Sequence, residues 1–103
     1  MVYVRVLDGT PLIRVYSFVL LEVPESYVVL QEINELNQQY TPTKWLHVEN
    51  SIVCAYEIIG VPFAADQLVG VIAQVGGIVD SVDQGLQNKF GGRLPFGEFK
   101  APQ

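Results

Sequence analysis

The sequence predicts an α+β fold in which an antiparallel sheet of about four strands has helices packed on one face. Two segments with the pattern of β-hairpins alternate with two segments of helical periodicity, so the element order is ββ-α-ββ-α. Half of the 103 residues are apolar and 17% are charged, which is typical of one folded domain with its own core. We expect this domain to span residues 1–93 and to leave 94–103 as a flexible C-terminal tail.

The first 21 residues predict a long hairpin. Every second residue from Val2 to Val6 is valine, the period of a half-buried strand, and Asp8-Gly9-Thr10-Pro11 is typical of a turn. The second strand starts at Leu12 and is apolar on both faces. Such a strand is either central in the sheet or covered on its second face by another subunit.

A helix is predicted to start at Glu25-Ser26 and to end at Thr41-Pro42, because the residue before proline avoids the helical region. Its apolar stripe has spacings of four, three and four residues: Val29, Ile33, Leu36 and Tyr40. Asparagine is a poor residue inside a helix, so Asn34 and Asn37 call for another explanation. We expect Asn34, beside the stripe, to bond to the backbone of a strand; contact with the backbone of a client is the alternative.

The second hairpin is predicted to pair 45–49 with 52–59 through a turn at Asn50-Ser51. Gly60-Val61-Pro62 then ends the strand. Cys54 shares the alternating face of apolar neighbours, so we interpret it as a small buried residue of the core.

A long helix is predicted over about 64–90, ending at Gly91-Gly92. Its apolar stripe repeats at spacings of four and three: Leu68, Ile72, Val75, Val79, Val82 and Leu86. Four glycines lie inside it, although glycine is unfavourable there: Gly70, Gly76, Gly77 and Gly85. Two explanations remain open, namely a kink at Gly76-Gly77 and a close approach of the helix backbone to another element.

The composition excludes several classes of function. A net charge of −5 and six scattered basic residues disfavour nucleic-acid binding, which requires clustered cations. No apolar run is long enough to span a membrane, no signal peptide is apparent, and the lone cysteine gives no reason to expect an oxidising compartment. We therefore expect a cytoplasmic protein without membrane or nucleic-acid partners.

The chain offers little for catalysis or for a cofactor. His47 is the only histidine, which excludes a histidine pair on a metal ion, and Cys54 is the only thiol it could activate. Asp80 and Asp83 are neighbours on the long helix, but exposed acidic residues on a solvated face are far commoner than a cation site. The sequence predicts no enzyme, no metal and no cofactor.

Three stretches carry a resemblance to a known family. They are the hairpin strand PLIRVYSFVLLEVP, the helix LQEINELNQQY with its LNxLN-like pattern, and the helix end VDSVDQGLQNKFGGR. In this order, with the hairpin WLHVENSIVCAYEI between them, residues 2–93 resemble the YbjN and type III secretion chaperone-like (TY-Chap) superfamily, in its actinobacterial form. The resemblance implies binding of peptides or partly unfolded client proteins, often as a homodimer, without catalysis or cofactors.

The sequence itself indicates where a protein partner would bind. If helices cover one face of the sheet, the other face still has too many apolar residues to be fully solvated. We therefore expect Tyr16, Phe18, Trp45 and Leu46 to form an interface for a client or a second copy. The last helix is the alternative dimer surface, through Ile72, Val79 and Leu86.

A second hypothesis starts from a difference between the chain and the family pattern. The family normally has an additional N-terminal helix, whereas this sequence begins with the first strand. The chain would then be a structural or regulatory subunit that completes its fold inside a larger assembly. That hypothesis predicts poor folding of the isolated chain.

Overall fold

The computed structural model describes residues 2–9, 11–59 and 65–95. Within these ranges it contains the predicted elements in the predicted order: β1 (Val2–Val6), β2 (Leu12–Leu20), α1 (Tyr27–Gln39), β3 (Lys44–Val48), β4 (Ser51–Ile59) and α2 (Ala65–Phe90). The strands form one antiparallel sheet in the spatial order β1-β2-β4-β3. The predicted α+β fold is confirmed.

β2 is a central strand, paired with β1 on one side and with β4 on the other. The register places Tyr16 between Tyr3 and Ala55, and places Ser17 opposite Cys54. The predicted central position of β2 is confirmed. Because neighbouring residues in a strand point to opposite faces, Ile13 and Val15 lie in the core under the helices, whereas Tyr16 and Phe18 lie on the face that no described helix covers.

Both helices pack on the same face of the sheet. α2 crosses β2 and β4, and α1 lies against β3. α1 begins after Ser26, whose hydroxyl accepts a hydrogen bond from the Val29 backbone N–H at 3.2 Å. The core between helices and sheet contains these buried residues: Ile13, Val15, Val19, Leu20, Val29, Ile33, Leu36, Trp45, Ile52, Cys54, Ile58, Val71, Val75, Val79 and Leu86.

The turn between β3 and β4 lies one residue earlier than predicted. Glu49 and Asn50 have φ values of 49° and 61°, and Val48 pairs directly with Ser51. Two consecutive left-handed residues form the two-residue hairpin turn that matches the twist of the strands. Asparagine tolerates this conformation easily, but Glu49 gives no sign of it in the sequence.

α2 runs as an uninterrupted helix through its four glycines. A methyl group added at Gly70, Gly77 or Gly85 would meet no atom within 4 Å outside the helix's own neighbouring backbone, and one at Gly76 would lie 3.7 Å from the Val2 side chain. The second distance is ordinary van der Waals contact. Close backbone approach therefore does not explain these glycines, and that alternative is wrong.

The end of α2 returns to the sheet. Leu21 and Arg93 exchange two backbone hydrogen bonds of 2.7 and 2.8 Å. Gly92 has a φ of 76°, and a Cβ there would lie 2.5 Å from the Leu21 carbonyl oxygen, so only glycine fits. Leu94, where the predicted tail begins, packs against the core. Residues 96–103 and the predicted strand end at 60–62 lie outside the described residues.

Candidate functional site

The second face of the sheet carries no helix among the described elements. We call it the open face, and the pairing register assigns its side chains. It includes Tyr3 and Arg5 from β1, Leu12, Arg14, Tyr16 and Phe18 from β2, Lys44, Leu46 and Val48 from β3, and Ser51, Val53, Ala55 and Glu57 from β4.

The open face contains a shallow groove of about 290 Å³ that follows β4. Small β4 residues form its floor, with larger side chains of β2 and β3 on either side. Val53 and Ala55 are only 7% and 1% exposed although no described helix covers them, because the taller neighbours shield them. The residues that line the groove are Arg5, Arg14, Tyr16, Phe18, Leu46, Val48, Glu49, Ser51, Val53 and Ala55.

Tyr16 and Phe18 form one wall of the groove, and the ring of Tyr3 packs against both of them. Tyr3 stacks on Tyr16 with ring centroids 5.4 Å apart, and Phe18 meets both rings edge-on at 6.0 Å. Such contacts contribute about 0.5–1.5 kcal/mol per pair beyond the burial of area, which holds the rings in place without a partner. The wall is therefore a preformed, half-exposed apolar surface.

One end of the groove is charged. Glu57 accepts hydrogen bonds from Arg14, including one from Nε at 2.8 Å, and lies 3.6 Å from Lys44 Nζ. The hydrogen bonds from Arg14, together with the charges of Lys44 and Arg14, lower the pKa of Glu57 against a smaller effect of desolvation. The carboxylate is therefore ionised at neutral pH and is already engaged by two cations.

Arg5 adds a further positive charge at the same end. It lies directly opposite Arg14 across β1 and β2, and within the described part of the chain no carboxylate pairs with it. Like charges in directly opposed positions repel, and here only Arg14 is neutralised by Glu57. At the other end of the groove, Glu49 has no cationic partner among the described residues.

The two edges of the sheet differ. At β3, the side chain of Asn37 in α1 bonds to both backbone groups of Trp45: Nδ2 donates to the carbonyl at 3.0 Å and Oδ1 accepts from the N–H at 2.7 Å. The outer edge of β1 pairs with no other described strand. Its residues Val4 and Val6 are 45% and 67% exposed on the helix side.

The structure divides the predicted interface residues between the two faces. Tyr16, Phe18 and Leu46 lie on the open face and line the groove. Trp45 is 1% exposed and lies in the core, because it pairs with Cys54 on the helix-covered face. The expectation that Trp45 forms part of the interface is corrected accordingly.

The predicted alternative dimer surface on α2 also lies inside the domain. Val79 and Leu86 are buried in the core, and Ile72 is half-buried against it. These residues are used by the chain's own sheet, so α2 does not present them to a second copy. Val69 is the large apolar residue that α2 does expose.

The asparagine that anchors α1 to a strand is Asn37, not Asn34. Asn34 is exposed, and Asn37 forms the pair of hydrogen bonds to Trp45. The predicted kind of interaction was correct, but its residue was wrong. Both asparagines flank the apolar stripe, and the sequence does not show on which side β3 lies.

The thiol and the imidazole are not arranged for catalysis. Burial raises the pKa of Cys54 to about 11, against a smaller opposing effect of the Thr43 hydroxyl, so the reactive thiolate is scarce at neutral pH. His47 lies opposite Ile52, and its Nε2 donates a hydrogen bond of 2.7 Å to the Val23 carbonyl. Each group therefore has a structural environment of its own.

The rest of the described chain offers fewer features. A cleft of about 210 Å³ separates α1 from α2 and is spanned by the ion pair of Lys89 with Glu32 at 3.0 Å. Asp80 is exposed and Asp83 half-exposed, and no group of ligating side chains suited to a metal ion occurs in the described ranges. Within the described ranges, neither α1 nor α2 is both long and apolar enough to cross a membrane.

The sequence missed the charged end of the groove. Arg5 and Arg14 each lie two residues from an open-face tyrosine, on the same side of their strand. This alternation was the available signal, but the basic residues count as scattered until the register brings Arg5 of β1, Arg14 of β2 and Lys44 of β3 together across the sheet. For the same reason, the sequence did not predict that Val48 contributes to a wall of the groove or that Val53 contributes to its floor.

The open face therefore presents an apolar groove with a preformed aromatic wall. Residues 1–98 match the family described as T3SS (YopN, CesT) and YbjN peptide-binding chaperone 1, TY-Chap1. The chain belongs to this family, which confirms the predicted relationship to the YbjN and type III secretion chaperones. No curated protein matches the sequence.

Proposed function

We propose that this protein is a non-catalytic chaperone that holds an apolar segment of a peptide or partly unfolded client protein in the groove of the open face. The observation that carries the proposal is an apolar groove on a sheet face that no described helix covers. Tyr16, Phe18 and Leu46 supply the contact surface. The family's description as peptide-binding chaperones supports the same kind of ligand.

The surface suits a ligand that changes from client to client. Aromatic and aliphatic side chains recognise apolar area without demanding a particular hydrogen-bond pattern, so they tolerate different sequences. The rings of Tyr3, Tyr16 and Phe18 support one another, so binding does not require them to be ordered first.

Replacing Phe18 tests the groove directly. Phe18→Asp puts a charge into the aromatic wall and should abolish suppression of the aggregation of reduced insulin B chain, measured by light scattering. Val28→Asp is the matched control, because Val28 is exposed on α1, away from the groove. Circular dichroism should show both variants folded. Equal suppression by Phe18→Asp and the native protein would contradict the proposal.

The proposal includes a homodimer. β1 is the available contact, because its outer edge pairs with no described strand and Val4 and Val6 are exposed beside it, whereas Asn37 occupies the edge of β3. Light scattering after size exclusion should give twice the chain mass. Val6→Lys should give the single chain mass while client binding in the groove persists.

The same measurement addresses the alternative of a subunit that folds only within a larger assembly. The exposed valines of β1 are the observation in its favour. That alternative predicts aggregation or non-cooperative unfolding of the isolated chain. A cooperative unfolding transition of a purified homodimer would exclude it.

A further inference from the structure

The open face offers a partner no backbone hydrogen bonds. The N–H and C=O groups of β2 and β4 point along the sheet to neighbouring strands, not out of its face. An extended segment lying on the groove would therefore gain no ladder, and half of its side chains would point away from the floor. An α-helix satisfies its own backbone groups and directs one continuous apolar stripe downwards.

The dimensions of the groove fit a helix aligned with the strands. Its walls stand on β2 and β3, whose backbones are two strand spacings or roughly 10 Å apart, so the apolar stripe of a helix can rest between the walls over β4. The residues that line the groove extend from Arg14, which pairs with Glu57, to Ser51, a distance of six residue steps along β4, or roughly 20 Å. A helix of about 13 residues covers that length.

The charges of the groove indicate what the ends of this helix should carry. Arg5 is the cation without a carboxylate among the described residues, and it lines the groove beside Arg14. An acidic side chain at that end of the ligand would pair with Arg5 and offset its repulsion from Arg14. The local charge is thus opposite in sign to the net charge of −5 on the whole chain.

We infer that the groove takes its client segment as an amphipathic α-helix of about 13 residues whose end over Arg5 carries an acidic residue. The inference rests on the proposed function and adds the conformation and charge of the ligand. Phe18, Val53 and Leu46 contact the apolar stripe of the helix. Arg5 selects its acidic end and sets its orientation along β4.

The conformation of the bound segment can be tested by selecting peptides from a random library of 16-residue peptides displayed on phage. Peptides that also bind the Phe18→Asp variant are removed by counter-selection. The enriched peptides should have apolar residues at i, i+3 or i+4, and i+7, no internal proline, and Asp or Glu at one end. Phe18-dependent peptides with alternating apolar residues or internal proline would overturn the helical inference and leave the proposed function intact. Absence of any Phe18-dependent peptide would overturn both.

Charge reversal tests the role of Arg5. The most enriched acidic peptide should bind Arg5→Glu roughly three- to tenfold more weakly than the native protein at low salt, and its lysine-substituted version should regain affinity for that variant. Lys89→Glu changes the net charge equally but lies on α2. It should therefore bind the acidic peptide and its lysine-substituted version as tightly as the native protein does. Equal effects of the two substitutions would overturn the assignment to Arg5.

Discussion

The side-chain amide of Asn37 pairs with both backbone groups of Trp45, with hydrogen bonds of 2.7 and 3.0 Å. An amide has one donor side and one acceptor side, as a peptide group does, so Asn37 occupies the place that the next strand would take at this point of β3. One residue of α1 therefore both anchors the helix and closes one edge of the sheet.

Loss of this pair should be costly. Asn37→Ala would leave an N–H and a C=O of the edge strand without their partner, and we expect a loss of about 1–3 kcal/mol in the free energy of unfolding, measured with urea. Asn34→Ala is the matched control in the same helix. It removes an exposed asparagine and should change stability by about 0.5 kcal/mol or less, towards greater stability.

Equal effects of the two substitutions would contradict the anchoring role of Asn37. A second readout separates anchoring from general stability. With the β3 edge open, Asn37→Ala should form higher oligomers at high concentration, because an uncovered edge strand pairs with other chains. The Asn34→Ala variant should not.

The elements could be predicted from the sequence because their periodicities differ. Valines repeat every second residue in β1, whereas apolar residues of α1 and α2 repeat every three or four. The central position of β2 was one of two interpretations of its two apolar faces, and its pairing with β1 and β4 confirms it. These features depend on which residues are neighbours along one element, and the sequence contains that information directly.

The contents of each face could not be predicted, because they depend on the register between strands. Trp45 and Leu46 are adjacent in sequence, yet the first lies in the core and the second lines the groove. Nothing local indicates which of the two faces the helices cover. The same limit explains the choice of Asn34 over Asn37, and the failure to group Arg5 with Arg14.

The glycines of α2 should be replaceable. Gly77→Ala should stabilise the protein by up to about 1 kcal/mol, because alanine favours the helix and no atom outside the helix's own neighbouring backbone lies within 4 Å of the added methyl group. Gly92→Ala is the opposing control. With a φ of 76° and the Leu21 carbonyl 2.5 Å from the new Cβ, it should cost about 2 kcal/mol or more.

Urea midpoints of the two variants at several protein concentrations provide the measurement. A loss of stability in Gly77→Ala that grows with protein concentration would show that this face of α2 contacts a second copy. That result would contradict the placement of the dimer contact at β1.

Cys54 should make stability depend on alkaline pH. The native thiol has a pKa of about 11, raised from 9.0 mainly by burial, so the unfolded chain loses its proton first as the pH rises. Stability is therefore retained below pH 9 and falls between pH 9 and 11. At pH 10 the expected loss is about 1 kcal/mol.

Comparison with Cys54→Ala isolates this effect from other groups that titrate in the same range. The difference in the free energy of unfolding between the native protein and the variant should be constant up to pH 8 and should shift by about 1 kcal/mol in favour of the variant by pH 10. Parallel pH profiles would show that the thiol ionises equally in both states. Cys54 would then contribute to stability only through its packing in the core, at every pH.

Thr43 supports the buried end of β3 through its hydroxyl group. Its Oγ1 accepts a hydrogen bond from the indole Nε1 of Trp45 at 3.2 Å and donates one to the Tyr40 carbonyl. Thr43→Val keeps the shape but leaves the buried indole N–H unpaired, so it should cost about 1–3 kcal/mol. Thr43→Ser keeps the hydroxyl and should cost about 1 kcal/mol, for the lost methyl group.

Trp45 is the only tryptophan, so its fluorescence during urea unfolding measures both variants at the site of the change. A larger loss in Thr43→Ser than in Thr43→Val would mean that packing, and not the hydrogen bond to Trp45, holds this part of the core together.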